Sequence, residues 1–406
     1  MEYYQVGGAV RDRILGLATK DRDWVVVGAT PQQMIKKGFQ PIGKDFPVFL
    51  HPDTKEEYAL ARTERKKGIG YKGFVFYSEP DVSLEEDLRR RDLTINAMAY
   101  DTENERLIDP YGGQKDIRAG ILRHTSAAFA EDPLRILRCA RFLARFHSYG
   151  FSIAPETQQL LSKMTGSKEI ETLSAERIWV ETAKALGEKS PHKFFELLQS
   201  CGGLTYWYKE LASLFGVPQP ARHHPEIDCG IHTLMVLEQT ASVSQELGTR
   251  FAALCHDLGK GKTPKKDLPS HHGHEERGVP LVRSLCERLR VPKEIEQLAY
   301  LTCRYHTHIH RIRGLKAETI LKVFDAFDLW RRPKRFAEFL LVCQSDIRGR
   351  LGFEKTVYEQ KEIAEQLAEA ACKVNIQKAI AGVAEQERAA SIRAARLAKI
   401  EQLIVN

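Results

Sequence analysis

The sequence predicts an α+β head followed by an all-α remainder, and three observations carry that prediction. Up to about residue 125, short apolar runs ("DWVVVGA", "FPVFLHP", "EEYALART", "LTINAMAYD") alternate with turn signals, the texture of a small mixed sheet. From "EDPLRILRCARFLARF" onward the apolar residues recur with a helical period and strand signals fade. Ten of the fourteen histidines then fall between His223 and His310, the first sign of a second chemical centre.

At 406 residues the chain exceeds one ordinary core, so several domains are expected. Its composition, 43% hydrophobic and 28% charged, is globular, and no run of about 18 apolar residues exists to span a bilayer. The opening "MEYYQVGGAVRD" lacks the basic and apolar regions of an export signal, so a cytoplasmic, non-membrane protein is expected. The eight cysteines are scattered singly, with no C-x-x-C pair. They read as small core residues rather than a disulfide framework or a thiolate zinc site. A net charge of +7 is compatible with a phosphate-rich partner without demanding one.

In "TKDRDWVVVG", Asp21 and Asp23 stand at the mouth of a strand, where residues i and i+2 project to one side about 7 Å apart. Two like charges so placed repel unless a cation lies between them, which suits a divalent metal shared with a nucleoside triphosphate. The same residues also read as an exposed turn paired to Lys20 and Arg22. Upstream, "VGGAVRD" sets Gly7 and Gly8 before a helix-like segment. Backbone N–H groups there could approach phosphates, with Arg11 one turn further along; a tight turn is the plainer reading.

Helix signals open the next segment at Asp132 as N-cap and Pro133 at the first position. Arg135 aligns with the apolar stripe of Cys139, Phe142 and Phe146, so it needs a partner or a cleft. Read locally, Asp132 caps the helix and pairs with Arg135 at i, i+3. Arg141 and Arg145 read as solvated or nucleic-acid-facing.

"VGGAVRD", "KDRDWVVVG", "RRDLTINAMA", "EDPLRILRCARF" and "SAERIW", in this order over roughly residues 1 to 180, resemble the motif series of class II tRNA nucleotidyltransferases in the DNA polymerase beta-like superfamily. The resemblance implies that Asp21 and Asp23 are catalytic and hold Mg²⁺. It implies that Gly8 and Arg11 meet the incoming nucleotide and that Arg91 helps grip it, with Asp92 near the ribose and Glu57 a further acidic group by the metals. Asp132 and Arg135 would read the base edge: the carboxylate accepts from the exocyclic amine shared by cytosine and adenine, and the guanidinium donates to a ring acceptor. Arg138, a turn further on, is a candidate for base or phosphate contact.

Near residue 220 the proline- and glycine-rich "LFGVPQPARHHPEIDCG" suggests a joint. Beyond it, "CGIHTLMVL" and "FAALCHDLGKG" place histidines in apolar helical text, with Gly259 suited to a C-terminal cap. The ordered set His232, His256, Asp257 and Asp346 (in "CQSDIRGR") resembles the HD superfamily of metal-dependent phosphohydrolases. That likeness implies a divalent transition metal held by these four residues. In "SHHGHEERG", His272 and His274 are either extra ligands or phosphate contacts, or a solvated loop; "RYHTHIHRIRG" reads as a basic RNA-facing loop or a solvated one.

Head motifs and HD set together resemble the multifunctional CCA-adding enzymes of gammaproteobacterial type, through about residue 355. The resemblance implies a DNA polymerase beta-like head (1–130), a helical neck and body that selects the base and contacts tRNA (131–222), an HD domain (223–352) and a helical tail (353–406). It further implies addition and repair of the tRNA 3′-terminal CCA from CTP and ATP, plus phosphohydrolase activity, and it leaves a homodimer open. A poly(A) polymerase shares the head motifs, but a polymerase that merely extends RNA has no need of an intact HD centre. A non-catalytic RNA-binding protein on an inactive transferase fold is the third reading, and retention of both aspartates argues against it. After residue 355 the Ala-, Glu-, Lys-, Gln- and Arg-rich text favours long exposed helices.

Overall fold

A computed structural model describes residues 1–19, 22–42, 48–66 and 74–404. The chain forms two compact units, Met1–Ala185 with Glu196–Tyr206, and Leu186–Phe195 with Trp207–Asn406.

The first unit is built on strands β1 (Glu2–Val6), β2 (Asp23–Val27), β3 (Gln40–Ile42), β4 (Val48–Leu50) and β5 (Glu57–Leu60), a hairpin of β6 (Thr63–Lys66) and β7 (Phe74–Tyr77), then β8 (Ala99–Asp101) and β9 (Arg106–Ile108). The seven-stranded sheet runs β3-β4-β5-β2-β1-β8-β9. Among the described residues of this sheet only β2 and β5 pair in parallel, which makes it mixed. Alternation along β2 explains its two faces. Val25 and Val27 join Val6, Leu88, Ala97 and Ala99 on one side, while Val26 joins Met34, Phe49, Tyr58 and Leu60 on the other.

Helices of this unit are α1 (Gly8–Ile14), α2 (Pro31–Lys36), α3 (Leu84–Arg89), α4 (Gly113–Ala119), α5 (Leu134–Phe146), α6 (Pro155–Thr165) and α7 (Ala175–Leu186). Ser83 and Glu86 form a capping box at the start of α3, which fixes where the following "RRD" emerges. Two details depart from the sequence reading. "LTINAMAYD" is a strand only over Ala99–Asp101; Thr94–Asn96 turns as a 3₁₀ helix because Thr94 bonds Asp116 at 2.7 Å and Asn96 bonds Asp92 at 2.9 Å. Strand structure also persists past residue 131, where β10 (Ile121–Leu122) pairs in parallel with β11 (Ser152–Ile153).

The chain continues through α8 (His192–Ser200), α9 (Gly203–Trp207) and α10 (Lys209–Ala212). The second unit then assembles α11 (Cys229–Val243), α12 (Leu247–Cys255), α13 (His274–Leu289), α14 (Lys293–His310), α15 (Ala317–Ala326) and α16 (Pro333–Arg348), followed by α17 (Glu359–Cys372), α18 (Ile376–Ile380) and α19 (Arg388–Ile404). The α+β head and the helical remainder are thus the architecture the periodicities anticipate. The proline-rich stretch around residue 220 lies inside the second unit, whose boundary falls earlier, at Tyr206–Trp207. All eight cysteines are free, and seven are buried. Among the described residues no helix is long and apolar enough to cross a membrane.

Candidate functional site

Asp23 is the first residue of β2 and is exposed, in register with Val6 on β1 and with Glu57 on the parallel neighbour β5. Residues in register share a sheet face, so Asp23 and Glu57 project side by side, about 4.8 Å apart at the backbone. Two adjacent carboxylates are an oxygen-only donor set, the kind that suits a hard cation such as Mg²⁺. Asp21 lies outside the described residues. At the same end of the sheet, directly after Val6, Gly7 takes φ 67° and immediately precedes α1, and a Cβ there would sit 3.1 Å from Nη1 of Arg91. Glycine is therefore required twice over, by the backbone angle and by the arginine packed against it.

The cations around this edge are held by a network. Arg91 donates to Oδ2 of the fully buried Asp87 at 3.1 Å, and Arg90 to its Oδ1 at 2.7 Å. Burial works to raise the Asp87 carboxyl, but these two guanidinium groups more than offset it and hold it below its ordinary value. Asp92 accepts from Arg138 through Nε at 2.8 Å and Nη2 at 2.6 Å, and from Asn96 and the Leu93 N–H. Burial again opposes ionisation and Arg138 again prevails, so Asp92 stays a carboxylate. Arg11 is 3% exposed, bonded to Asp12 at 2.8 Å and to Asn96 at 2.5 Å, and stacked 4.9 Å from the Phe146 ring centroid. It thus ties α1 to α5, and contact with a nucleotide would require it to exchange these partners.

On α5 the local sequence reading is corrected. The helix begins at Leu134, one residue later than anticipated, although Oδ1 of Asp132 still accepts from the Leu134 N–H at 3.0 Å. Oδ2 of Asp132 pairs with Arg177 of α7 at 3.0 Å. Arg135, 8% exposed, donates to the carbonyls of Ala128 and Arg90, each at 2.7 Å. Arg141 is not solvated: it is buried and pairs with Glu181 of α7 at 2.6 Å. Arg145 likewise bonds Asp12 at 3.0 Å. The reading of Arg141 failed because its partner carboxylate lies 40 residues away, beyond any local pattern, whereas Arg145 keeps a third of its side chain exposed beside its bond to Asp12.

In the second unit, five helices converge on one buried cluster. His232 comes from α11, His256 and Asp257 from the end of α12, His274 from the first turn of α13, His306 and His310 from the last turns of α14, and Asp346 from the last turn of α16. Nε2 of His232 lies 3.0 Å from Oδ1 of Asp346, and Nε2 of His256 lies 3.1 Å from Oδ2 of Asp257. The cluster closes because Nε2 of His256 is 3.9 Å from Asp346 and Nε2 of His232 is 3.9 Å from Asp257. Nε2 of His256 is buried with no hydrogen-bond partner among the described residues, an expensive arrangement unless an ion uses its lone pair. The four residues therefore fit a divalent cation with mixed nitrogen and oxygen preference. Lys260 adds a positive charge 2.6 Å from Oδ2 of Asp257. Burial works against ionising Asp257 and Asp346, yet the surrounding imidazoles and Lys260 hold Asp257 well below the carboxylate range, and His310 and His232 do the same for Asp346. A cavity of about 550 Å³ reaches this cluster at Lys260, His274 and His310, and Arg222, Arg311 and Arg350 also line it. Its charge suits a phosphate ester.

Family models match three segments: a poly A polymerase head domain over residues 3–123, a probable RNA- and SrmB-binding site of polymerase A over 150–215, and an HD domain over 230–330. The multifunctional CCA protein of Haemophilus influenzae is 53% identical over 95% of this chain and 94% of its own. Its counterpart in Pseudoalteromonas atlantica is 56% identical over 94% of each. The chain belongs to the multifunctional CCA protein family. In fold it is similar to a CCA-adding enzyme of Bacillus stearothermophilus crystallised with CTP (TM-score 0.64, 23% identity, 99% of this chain and 89% of that one). It is also similar to a Thermotoga maritima CCA-adding enzyme complexed with tRNA (TM-score 0.63, 17% identity, 98% and 87%).

Several residues of this family member escaped the sequence reading. "RYHTHIHRIRG" is not a loop: it closes α14, and His306 is 2% exposed. The spacing of His306 and His310 at i, i+4, one helical face, is the signal that could have shown it. His274 is buried, whereas its neighbour His272 is exposed. Gly259 is no helix cap; it lies in a 3₁₀ turn so close to α13 that a Cβ would overlap the His274 carbonyl. Arg177 stands inside the quoted "SAERIW", but nothing local ties it to Asp132.

Proposed function

We infer that this chain adds and repairs the 3′-terminal CCA of tRNA from CTP and ATP and hydrolyses phosphate esters at its HD centre. The observation that carries this is its likeness, at 53% to 56% identity along nearly their whole length, to proteins known as multifunctional CCA proteins.

In the head, Asp21 and Asp23 would hold Mg²⁺, which when bound neutralises the triphosphate and makes the attacking 3′-hydroxyl more acidic. The protein's own groups supply the rest. Gly7 and Gly8 let the backbone come close to the phosphates, and Arg91, fixed by Asp87, holds a positive charge beside them. Asp132 accepts from the exocyclic amine of cytosine or adenine and Arg135 donates to the adjoining ring acceptor. Guanine and uracil present no amine there, so a polar group would be left unpaired, the costliest kind of mismatch for a pocket. Arg177 is the positioning residue, because its bond to Asp132 sets where that carboxylate points. Arg138, donating from Nε and Nη2 to the one Oδ2 of Asp92, would meet base or phosphate from a fixed position. At the HD centre His232, His256, Asp257 and Asp346 would hold a divalent transition metal, which when bound activates water toward phosphorus, while Arg222, Arg311 and Arg350 orient the ester.

The test is extension of a tRNA lacking its last three nucleotides, with Mg²⁺ and with CTP and ATP supplied singly and together. The reading predicts addition of two C and then one A when both are present, and two C alone from CTP. Extension by ATP alone in long runs would indicate a poly(A) polymerase, and no extension a non-catalytic RNA-binding protein.

A further inference from the structure

On the sheet face opposite Asp23, a polar side chain is buried without a partner. Alternation puts Trp24 of β2, Gln5 of β1 and Tyr100 of β8 on that face, and the register sets them in one row, with Gln5 between the two aromatic rings. Gln5 is 9% exposed, yet its amide makes no side-chain hydrogen bond among the described residues. An amide taken out of bulk water and left unpaired is costly. Gln5 lines a cavity of about 430 Å³, together with Trp24 and with Ala9 and Leu17, which form an apolar wall. Arg13 and Arg22 bring positive charge to the same cavity. The Arg13 guanidinium lies 4.2 Å from the Tyr100 ring centroid and has no carboxylate partner among the described residues. Arg22 is exposed and reaches Glu56 at 4.0 Å. Trp24 is held in place: its Nε1 donates to Glu56 at 2.9 Å, and its ring stacks on Tyr58 with centroids 5.3 Å apart and planes at 4°.

These groups match the parts of one nucleotide. A glutamine amide offers a donor and an acceptor side by side, the pattern that pairs with the polar edge of a nucleobase. A fixed indole and an apolar wall suit the faces of the base, and two guanidinium groups suit a phosphate. A cavity of this size is of the order that holds a single small molecule. We propose that this cavity binds one free nucleoside phosphate, with the base edge on the Gln5 amide and the phosphate between Arg13 and Arg22. The site is separate from the residues proposed for nucleotide addition, because Asp23 shares its face with Val25 and Val27 while Trp24 lies on the other. It therefore does not rest on that reading.

The test photolabels the full-length chain, in the presence of EDTA, with 8-azidoadenosine 5′-monophosphate or with a short oligoribonucleotide carrying the same azido base, and maps the labelled peptides by mass spectrometry. The proposal expects the mononucleotide to label β1, β2 or the segment at Thr102, and to do so saturably. In Gln5→Leu, and separately in Arg13→Glu, the half-saturating concentration for that label should rise about tenfold. CTP addition to a tRNA lacking CCA should stay at the parent rate in both variants, which also shows that each has folded. Should Gln5→Leu fail to fold, the exposed Arg13 supplies the deciding variant. Labelling of these segments by the oligoribonucleotide alone would overturn the free nucleotide as occupant and assign the cavity to RNA. Mononucleotide label confined to other segments, or saturation unchanged in the variants, would overturn the site itself.

Discussion

In the proposed reading, where Asp132 meets the base edge, its ion pair with Arg177 is the contact that sets nucleotide choice. Both side chains are only partly buried, and their 3.0 Å contact leaves Oδ1 of Asp132 committed to the Leu134 N–H. Without Arg177 the carboxylate keeps its cap bond but loses the contact that fixes its rotation. A charge-assisted hydrogen bond of this kind contributes about 1.5 kcal/mol, equivalent to about tenfold in a rate ratio. Arg177→Met should accordingly lower the preference for CTP over UTP, read as the ratio of kcat/KM values, by about tenfold, with a smaller effect on CTP addition itself. An unchanged ratio would remove Arg177 from base selection. This residue lay in plain view within "SAERIW", yet its partner is 45 residues upstream, so only the folded pairing of α5 and α7 discloses it.

Among elements, the 3₁₀ turn Leu258–Lys262 packs closely against α13. Gly259 and Gly278 meet there, and the carbonyl of His274 lies where a side chain on Gly259 would begin. Gly259→Ala must push the first turn of α13 outward, which costs about 1–3 kcal/mol for an overpacked contact and moves His274 away from Asp257. Chemical denaturation should register the loss, phosphoester hydrolysis should fall sharply, and CCA addition should persist; full hydrolysis with unchanged stability would contradict the packing account. The elements themselves were legible where one period dominates. β2 follows from the run Val25 to Val27, and α5 from its apolar stripe, to within one residue at its start. What was not legible depended on distant partners. Arg141 sits on a flank that looks polar, and its distant partner Glu181 accompanies its burial. His306 hid in a histidine-rich string whose helical register emerges only where it meets Asp257.

At the scale of the whole molecule, two chemistries occupy two separately built centres on one chain. The head offers carboxylate oxygens at the ends of two central strands, suited to a hard ion and a triphosphate. The HD unit offers buried imidazoles and carboxylates under a cationic cavity, suited to a softer ion and a phosphate ester. The residues proposed to add nucleotides belong to the first unit and the histidine and aspartate cluster to the second. The most direct test measures both activities on Asp23→Ala, using a tRNA lacking CCA for the one and a simple phosphate ester with a transition divalent ion for the other. Two independent centres predict that nucleotide addition disappears while ester hydrolysis continues at the parent rate. Addition that survives, or hydrolysis that vanishes with it, would contradict the account.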